Sequence, residues 1–296
     1  MIAIALIVIV LLIFIYLVLS TLFSRLLFNP RRDQHWEPTL PYENLLLENN
    51  ISTWLFYNYP GHRVILFCHG NAGNISFYDH VINFCFRYQL NLCLFDYPGY
   101  GQSKGVPTQK SILSSGEIVY RCLCTRCSPN QILIWGESLG GYVATYLASR
   151  YPCNCLILLA TFSSLDDILI DRDIPFLIKN FLRLFHLIID PMSNKHLISQ
   201  VKCPIAIVHS PHDEIIPYLN ALRLYQSIPH SQKKLITIEG GHSSPEIQPE
   251  KLFELLEFCQ IDFSPSQSCS DLLEEIKHFK GKIKSRSGQC DRSKTS

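Results

Sequence analysis

A chain of 296 residues has room for one large α/β domain with appendages, and its formal net charge of +1 excludes a strong overall charge bias, so nothing argues for nucleic acid or an acidic polymer as partner. Hydrophobic residues make up 47% and charged residues 17%, a balance suited to a buried parallel sheet plus a membrane segment. The 12 cysteines are too dispersed for a disulfide scaffold, and several fall inside apolar runs where a thiol is a small filler, so reduced thiols are expected. Cys122, Cys124 and Cys127 form a C-x-C-x-x-C triplet, but no Cys or His pair follows at zinc spacing, so neither a metal nor another cofactor is expected.

Residues 2–19 are apolar and uncharged throughout, and the first charge is Arg25. With Leu22 and Phe23 the run reaches the roughly 20 residues that cross a bilayer. A cleavable signal peptide would need a basic start, a shorter apolar core and a small-residue cleavage site, and none is present. Residues 1–24 therefore read as a single-pass transmembrane anchor. Arg25, Arg31 and Arg32 follow the run and no Lys or Arg precedes it, which puts the rest of the chain in the cytosol by the positive-inside rule. Asn50-Ile51-Ser52 and Asn74-Ile75-Ser76 are formal glycosylation sequons that would matter only on a lumenal side.

Residues 25–42, with Pro30, Pro38 and Pro41, read as a linker, and residues 43–262 as the catalytic domain. Residues 45–47 and 51–59 predict an edge hairpin turning at Glu48-Asn49-Asn50. Residues 63–68 are a near-continuously apolar strand ending in HGNAGN at 69–74, a small-residue loop in which Asn74 suits a helix N-cap; a helix is expected over 75–88. Residues 91–95 are the next strand, followed by DYPGYGQSKG at 96–105. There Asp96 is read as structural, accepting hydrogen bonds at the strand end. A helix over 108–126 leads to the apolar strand 132–135.

That strand runs into GESLGG at 136–141, and a helical pattern opens at Tyr142 and Val143. Strand, turn and helix are the context of a G-x-S-x-G nucleophile elbow centred on Ser138, with Gly136 and Gly140 sparing a Cβ where the chain turns sharply. The free N–H groups of the helix start, Leu139 first, point at any oxyanion formed there. A strand at 155–159 follows. The stretch 161–197 then breaks the strand–helix alternation, its apolar 174–189 interrupted only by Lys179, Arg183 and His186; it reads as a framework helix with a short lid, or as a lid lining an acyl pocket or leaning on the membrane.

The strand 204–209 ends at Ser210-Pro211-His212-Asp213-Glu214, where open α/β sheets gather functional groups; Asp213 is the expected acid, with Glu214 and Asp190 as rivals. The last strand, 234–238, ends at Glu239-Gly240-Gly241-His242. His242 completes the chain order Ser…Asp…His, while His209, His212 and His230 are read as structural. A helix over 249–260 closes the domain. Residues 263–296 are polar, Ser-rich and basic, a flexible tail, solvated or resting on anionic lipid through Lys280, Lys282, Lys284 and Arg286.

HGNAGN at 69–74, DYPGYGQSKG at 96–105, GESLGG at 136–141, HSPHDEIIP at 209–217 and GGH at 240–242 together resemble the α/β-hydrolase superfamily. With the N-terminal apolar run they are more narrowly similar to the single-pass, membrane-anchored α/β-hydrolase-domain-containing proteins related to subtype thirteen. The resemblance implies a mostly parallel, twisted sheet of about eight strands with helices on both faces and a short lid at about 161–197. It implies a serine hydrolase acting on carboxylic esters or thioesters of lipid or acylated substrates, with Ser138 as nucleophile, His242 as base, Asp213 as its partner, and the N–H groups of Leu139 and Asn71 as oxyanion donors. A serine peptidase or amidase, or a non-catalytic membrane scaffold, could share the fold. The likeness departs at Glu137, where an arginine is often seen. Cytosolic relatives with acyl-protein thioesterase activity share the HGN loop and triad but carry an N-terminal cysteine cluster in place of the apolar helix.

Overall fold

The continuous apolar runs become strands buried on both faces, as parallel strands between two helical layers must be. The computed structural model describes residues 27–171 and 192–261, together with Val10, Leu11 and Phe14. Eight strands form one sheet: β1 Glu43–Leu47, β2 Ile51–Phe56, β3 Val64–Cys68, β4 Asn91–Phe95, β5 Ile132–Glu137, β6 Cys155–Leu159, β7 Ile205–His209 and β8 Lys233–Thr237. Their spatial order is β1-β2-β4-β3-β5-β6-β7-β8. Only β2 runs antiparallel to its neighbours, β1 and β4; every other pairing is parallel.

Period-two alternation splits the core in two. Val64, Leu66 and Cys68 of β3 face a layer that holds the helices α2 (Gln109–Cys124), α3 (Leu139–Arg150) and α6 (Leu219–Ser227). Ile65 and Phe67 face the layer holding α1 (Asp79–Arg87) and α7 (Pro249–Phe258). Two short helices, α4 (Leu165–Asp171) and α5 (Asn194–Ile198), flank the excursion after β6. Their ends are pinned: Arg223 forks onto Asp171, Lys195 pairs with Asp167 at 2.7 Å, and Asn194 Nδ2 donates to the Phe162 carbonyl at 2.8 Å.

The hairpin turn falls where expected, with Asn49 and Asn50 at positive φ. The helix expected over 75–88 is a 3-10 turn (Ile75–Phe77) followed by α1, because Asn74 caps the short turn through Ser76 N–H at 2.9 Å. Every described cysteine is a free thiol. The anchor at 1–24, apart from Val10, Leu11 and Phe14, the lid stretch 172–191 with the rival Asp190, and the tail lie outside the described residues. Among the described residues no helix is long and apolar enough to cross a membrane.

The stretch expected as a linker is bonded along its described part. Asn29–Pro30 pairs with Ala72–Gly73. Arg31 O accepts from Gly101 N–H at 2.8 Å, Asp33 O from Asn74 Nδ2 at 2.8 Å, and His35 N–H donates to Ser76 Oγ at 2.8 Å.

Candidate active site

At the C-terminal end of β5 the chain reverses into α3 within one residue. Ser138 sits at φ 52°, ψ −117°, a backbone region that non-glycine residues enter only when their surroundings hold them there. Three bonds do so. Its N–H donates to Leu159 O at 2.9 Å, and its carbonyl accepts Gly141 N–H at 3.0 Å and Thr161 Oγ1 at 2.7 Å. A Cβ on Gly140 would lie 1.9 Å from the Cys68 carbonyl oxygen, so the elbow helix meets the end of β3 at the closest approach backbone allows.

Beyond β8 the chain forms a small antiparallel ribbon, Glu239–Gly241 with Ser244–Glu246, and His242 stands in its turn. Gly240 adopts φ +85°, where a Cβ would lie 2.2 Å from Ser244 O, so glycine is what lets the ribbon close. The ribbon carries His242 back over the elbow. Its Nε2 lies 3.1 Å from Ser138 Oγ, and its Nδ1 lies 2.8 Å from Asp213 Oδ2. Three side chains from β5, β7 and β8 thus form one bonded line.

Asp213 is buried, and its carboxylate is fully used. Oδ1 accepts from the N–H groups of Ile215 at 2.9 Å and Ile216 at 2.7 Å. His209, the last residue of β7, places Nε2 2.9 Å from Ile216 O and 3.3 Å from Asp213 Oδ2, so one ring N–H is shared between them. Burial alone would raise this carboxyl, but the side chains of His209 and His242 and the Ile216 N–H outweigh it and hold it well below the usual carboxylate range. The rival Glu214 has a different place: its Oε2 accepts the His242 backbone N–H at 3.0 Å and steadies the ribbon.

Leu139 is the first residue of α3, so its N–H has no acceptor within the helix. The HGN loop lies against the same spot: a Cβ on Gly70 would fall 3.6 Å from Ser138 Cβ. Asn71 is fixed through its side chain. Oδ1 accepts from Tyr100 Oη at 2.8 Å and Asn29 N–H at 3.1 Å, and Nδ2 donates to Leu27 O at 2.7 Å. Asp96 has the structural part expected of it, accepting from the N–H groups of Ile75 at 2.9 Å and Gln102 at 3.3 Å. Thr161 and His209, which brace the elbow and Asp213, carry no local signal in the sequence; their contacts exist only once β5, β6 and β7 lie side by side.

Glu137, just before Ser138, is a half-buried carboxyl beside His242. Tyr78 Oη donates to its Oε1 at 3.4 Å and accepts Gly70 N–H at 2.9 Å, which ties Glu137 to the HGN loop. Burial pushes Glu137 up to about 7, although His242 and the Tyr78 hydrogen bond draw it down from where burial alone would put it. A native value above the ~4.3 of an exposed glutamate means the folded chain keeps a proton that the unfolded chain has lost. The stabilising contribution is therefore present at acidic pH and fades as pH rises toward 7. Glu137→Gln has no such proton to lose. Its melting temperature relative to the native chain should rise by about 2–4 °C from pH 5.5 to pH 8, the shift that ~1 kcal/mol gives in a domain of this size. A difference that stays constant between the two pH values would show that this carboxyl does not titrate there.

The family described as "alpha/beta hydrolase fold" matches residues 63–201, from just before β3 to past α5. A Xenopus tropicalis protein named alpha/beta hydrolase domain-containing protein 17C is 32% identical over 207 residues, 67% of this chain; the match spans 62% of that relative's length. A Saccharomyces cerevisiae protein named "Uncharacterized membrane protein YNL320W" is 30% identical over 222 residues, 71% of this chain and 76% of its own. Among solved structures, a Pyrococcus furiosus esterase superposes with a TM-score of 0.62 at 20% identity, covering 79% of this chain and 97% of the esterase, which is a likeness of fold. The hydrolase-domain relative carries the designation 17C; the narrower likeness to subtype thirteen is not confirmed.

Proposed function

From a chain that belongs to the α/β-hydrolase superfamily, we propose a membrane-anchored serine hydrolase that cleaves carboxylic ester or thioester bonds of lipid or acylated substrates through an acyl-enzyme. The observation that carries the reading is the bonded line Asp213–His242–Ser138. Asp213, held ionised by its donors, fixes the proton on His242 Nδ1 and leaves the Nε2 lone pair facing the serine hydroxyl. Ser138 Oγ attacks the substrate carbonyl carbon while Nε2 takes its proton. The oxyanion is assigned to the N–H groups of Leu139 and Asn71, each worth about 3 kcal/mol when aligned. Collapse expels the alcohol or thiol, which leaves with the proton held on Nε2. Water, deprotonated by the same nitrogen, then releases the acid and restores Ser138.

Membrane anchorage rests on the apolar run 2–23, and the name of the yeast relative supports it. The arginines after the run and the free thiols favour a cytosolic catalytic domain. The test is a fluorophosphonate probe on the full-length protein. The native chain is expected to label on Ser138 and to hydrolyse p-nitrophenyl esters. Ser138→Ala should lose the label and at least ~10⁴-fold in rate while keeping its melting temperature within a few degrees. Labelling that survives in Ser138→Ala would move the nucleophile elsewhere or end the case for a serine hydrolase.

A further inference from the structure

We propose that residues 27–35 are a strap that holds the catalytic rim against the bilayer containing the anchor, so that the enzyme takes its acyl substrate out of that same bilayer. This rests on the hydrolase and anchor readings above. The strap does not dangle from the domain; it is bonded to the two loops that follow β3 and β4 at the rim where Ser138 lies. Leu27 O and Asn29 N–H are both held by the Asn71 side chain. Arg31 O accepts from Gly101 and from Asn74, Asp33 O accepts from Asn74, and His35 N–H reaches Ser76. The His35 ring stacks on Phe77 with centroids 4.6 Å apart, and Phe28 is buried in the core.

Chain length then sets the distance to lipid. The apolar run ends at Phe23, four residues before Leu27. Four residues of fully extended chain cover at most about 13–14 Å, whatever path they take. The end of a membrane-spanning run is therefore never more than about that far from Leu27, whose carbonyl is bonded to Asn71. Headgroup layers are roughly 5–8 Å thick on each side of the hydrocarbon, so the loop assigned to the oxyanion stands at the lipid surface rather than out in solution. The rim is suited to that surface. Val106 on the loop after β4, Ile215 on the loop after β7 and Leu219 at the start of α6 are 65%, 42% and 51% exposed, and Arg31 and Arg32 of the strap are exposed where anionic headgroups would lie.

The test uses the full-length protein in phosphatidylcholine vesicles. Two substrates are compared: a soluble p-nitrophenyl acetate, and a long-chain acyl ester embedded either in the same vesicles or in separate ones. The native chain is expected to cleave the embedded ester at least tenfold faster when it shares the vesicle. A 20-residue Gly/Ser insertion between Ser24 and Arg25 leaves the strap intact but adds a tether of about 25 Å. It should cut the shared-vesicle rate at least fivefold and leave p-nitrophenyl acetate hydrolysis unchanged. Equal rates in shared and separate vesicles, or a shared-vesicle rate untouched by the insertion, overturn the inference. Cleavage of the soluble ester without the embedded one overturns it and leaves the hydrolase reading standing; cleavage of neither, with no fluorophosphonate labelling, removes both.

Discussion

Asp213→Asn should lower kcat by about 10⁴-fold with little change in KM. The amide keeps the size of the carboxyl and one oxygen for the N–H groups of Ile215 and Ile216, so the turn after β7 should persist. What it loses is the acceptor on the His242 side. An amide NH₂ facing Nδ1 favours the tautomer with the proton on Nε2, and that ring cannot take one from Ser138. Glu214→Gln is the comparison, because that carboxylate meets the His242 main chain rather than its ring and should cost less than tenfold. Steady-state kinetics on one ester would decide between them. A loss under tenfold for Asp213→Asn, or a larger loss for Glu214→Gln, would reassign the acid.

Gly140→Ala should prevent stable folding rather than slow the chemistry. The added methyl would sit 1.9 Å from the Cys68 carbonyl oxygen and 2.4 Å from its carbon. Both are backbone atoms of a strand paired on both sides, so neither can move aside as a flexible side chain would. The elbow helix would have to lift off β3, opening the core around Val143, Ala144 and Leu147. A cost of about 4 kcal/mol or more is expected, a large part of the stability of an ordinary domain. Thermal melting of the full-length variant measures it; a shift of less than ~3 °C would show that the helix has room to spare.

Much of this was legible from residues alone, for a physical reason. Strands buried on both faces must be apolar without interruption, so β3, β5, β6 and β7 announce themselves, and the glycines mark the elbow and the ribbon before His242. Ser138, Asp213 and His242 could be singled out as candidates because each follows a strand end in the chain order Ser…Asp…His; β5 and β7 are continuously apolar, while β8 before His242 is a half-exposed edge strand. The two-part break at 75–79 and the bonded course of residues 27–36 were not legible, since both depend on partners more than forty residues away or on a local cap that a helical pattern hides.

The sequence by itself determined which segments are strands, where the chain turns sharply, and that a serine, a carboxylate and an imidazole follow strand ends in that order. Local pattern is enough there, because burial and backbone conformation act on residues one at a time or on near neighbours. Only the tertiary structure decided that β3 lies between β4 and β5, which brings the HGN loop to Ser138. It alone separated Asp213 from Glu214, and it recruited Thr161, His209 and the strap. Those outcomes depend on which backbones pair across the sheet and which way a side chain points after the turn, and no single segment carries that information.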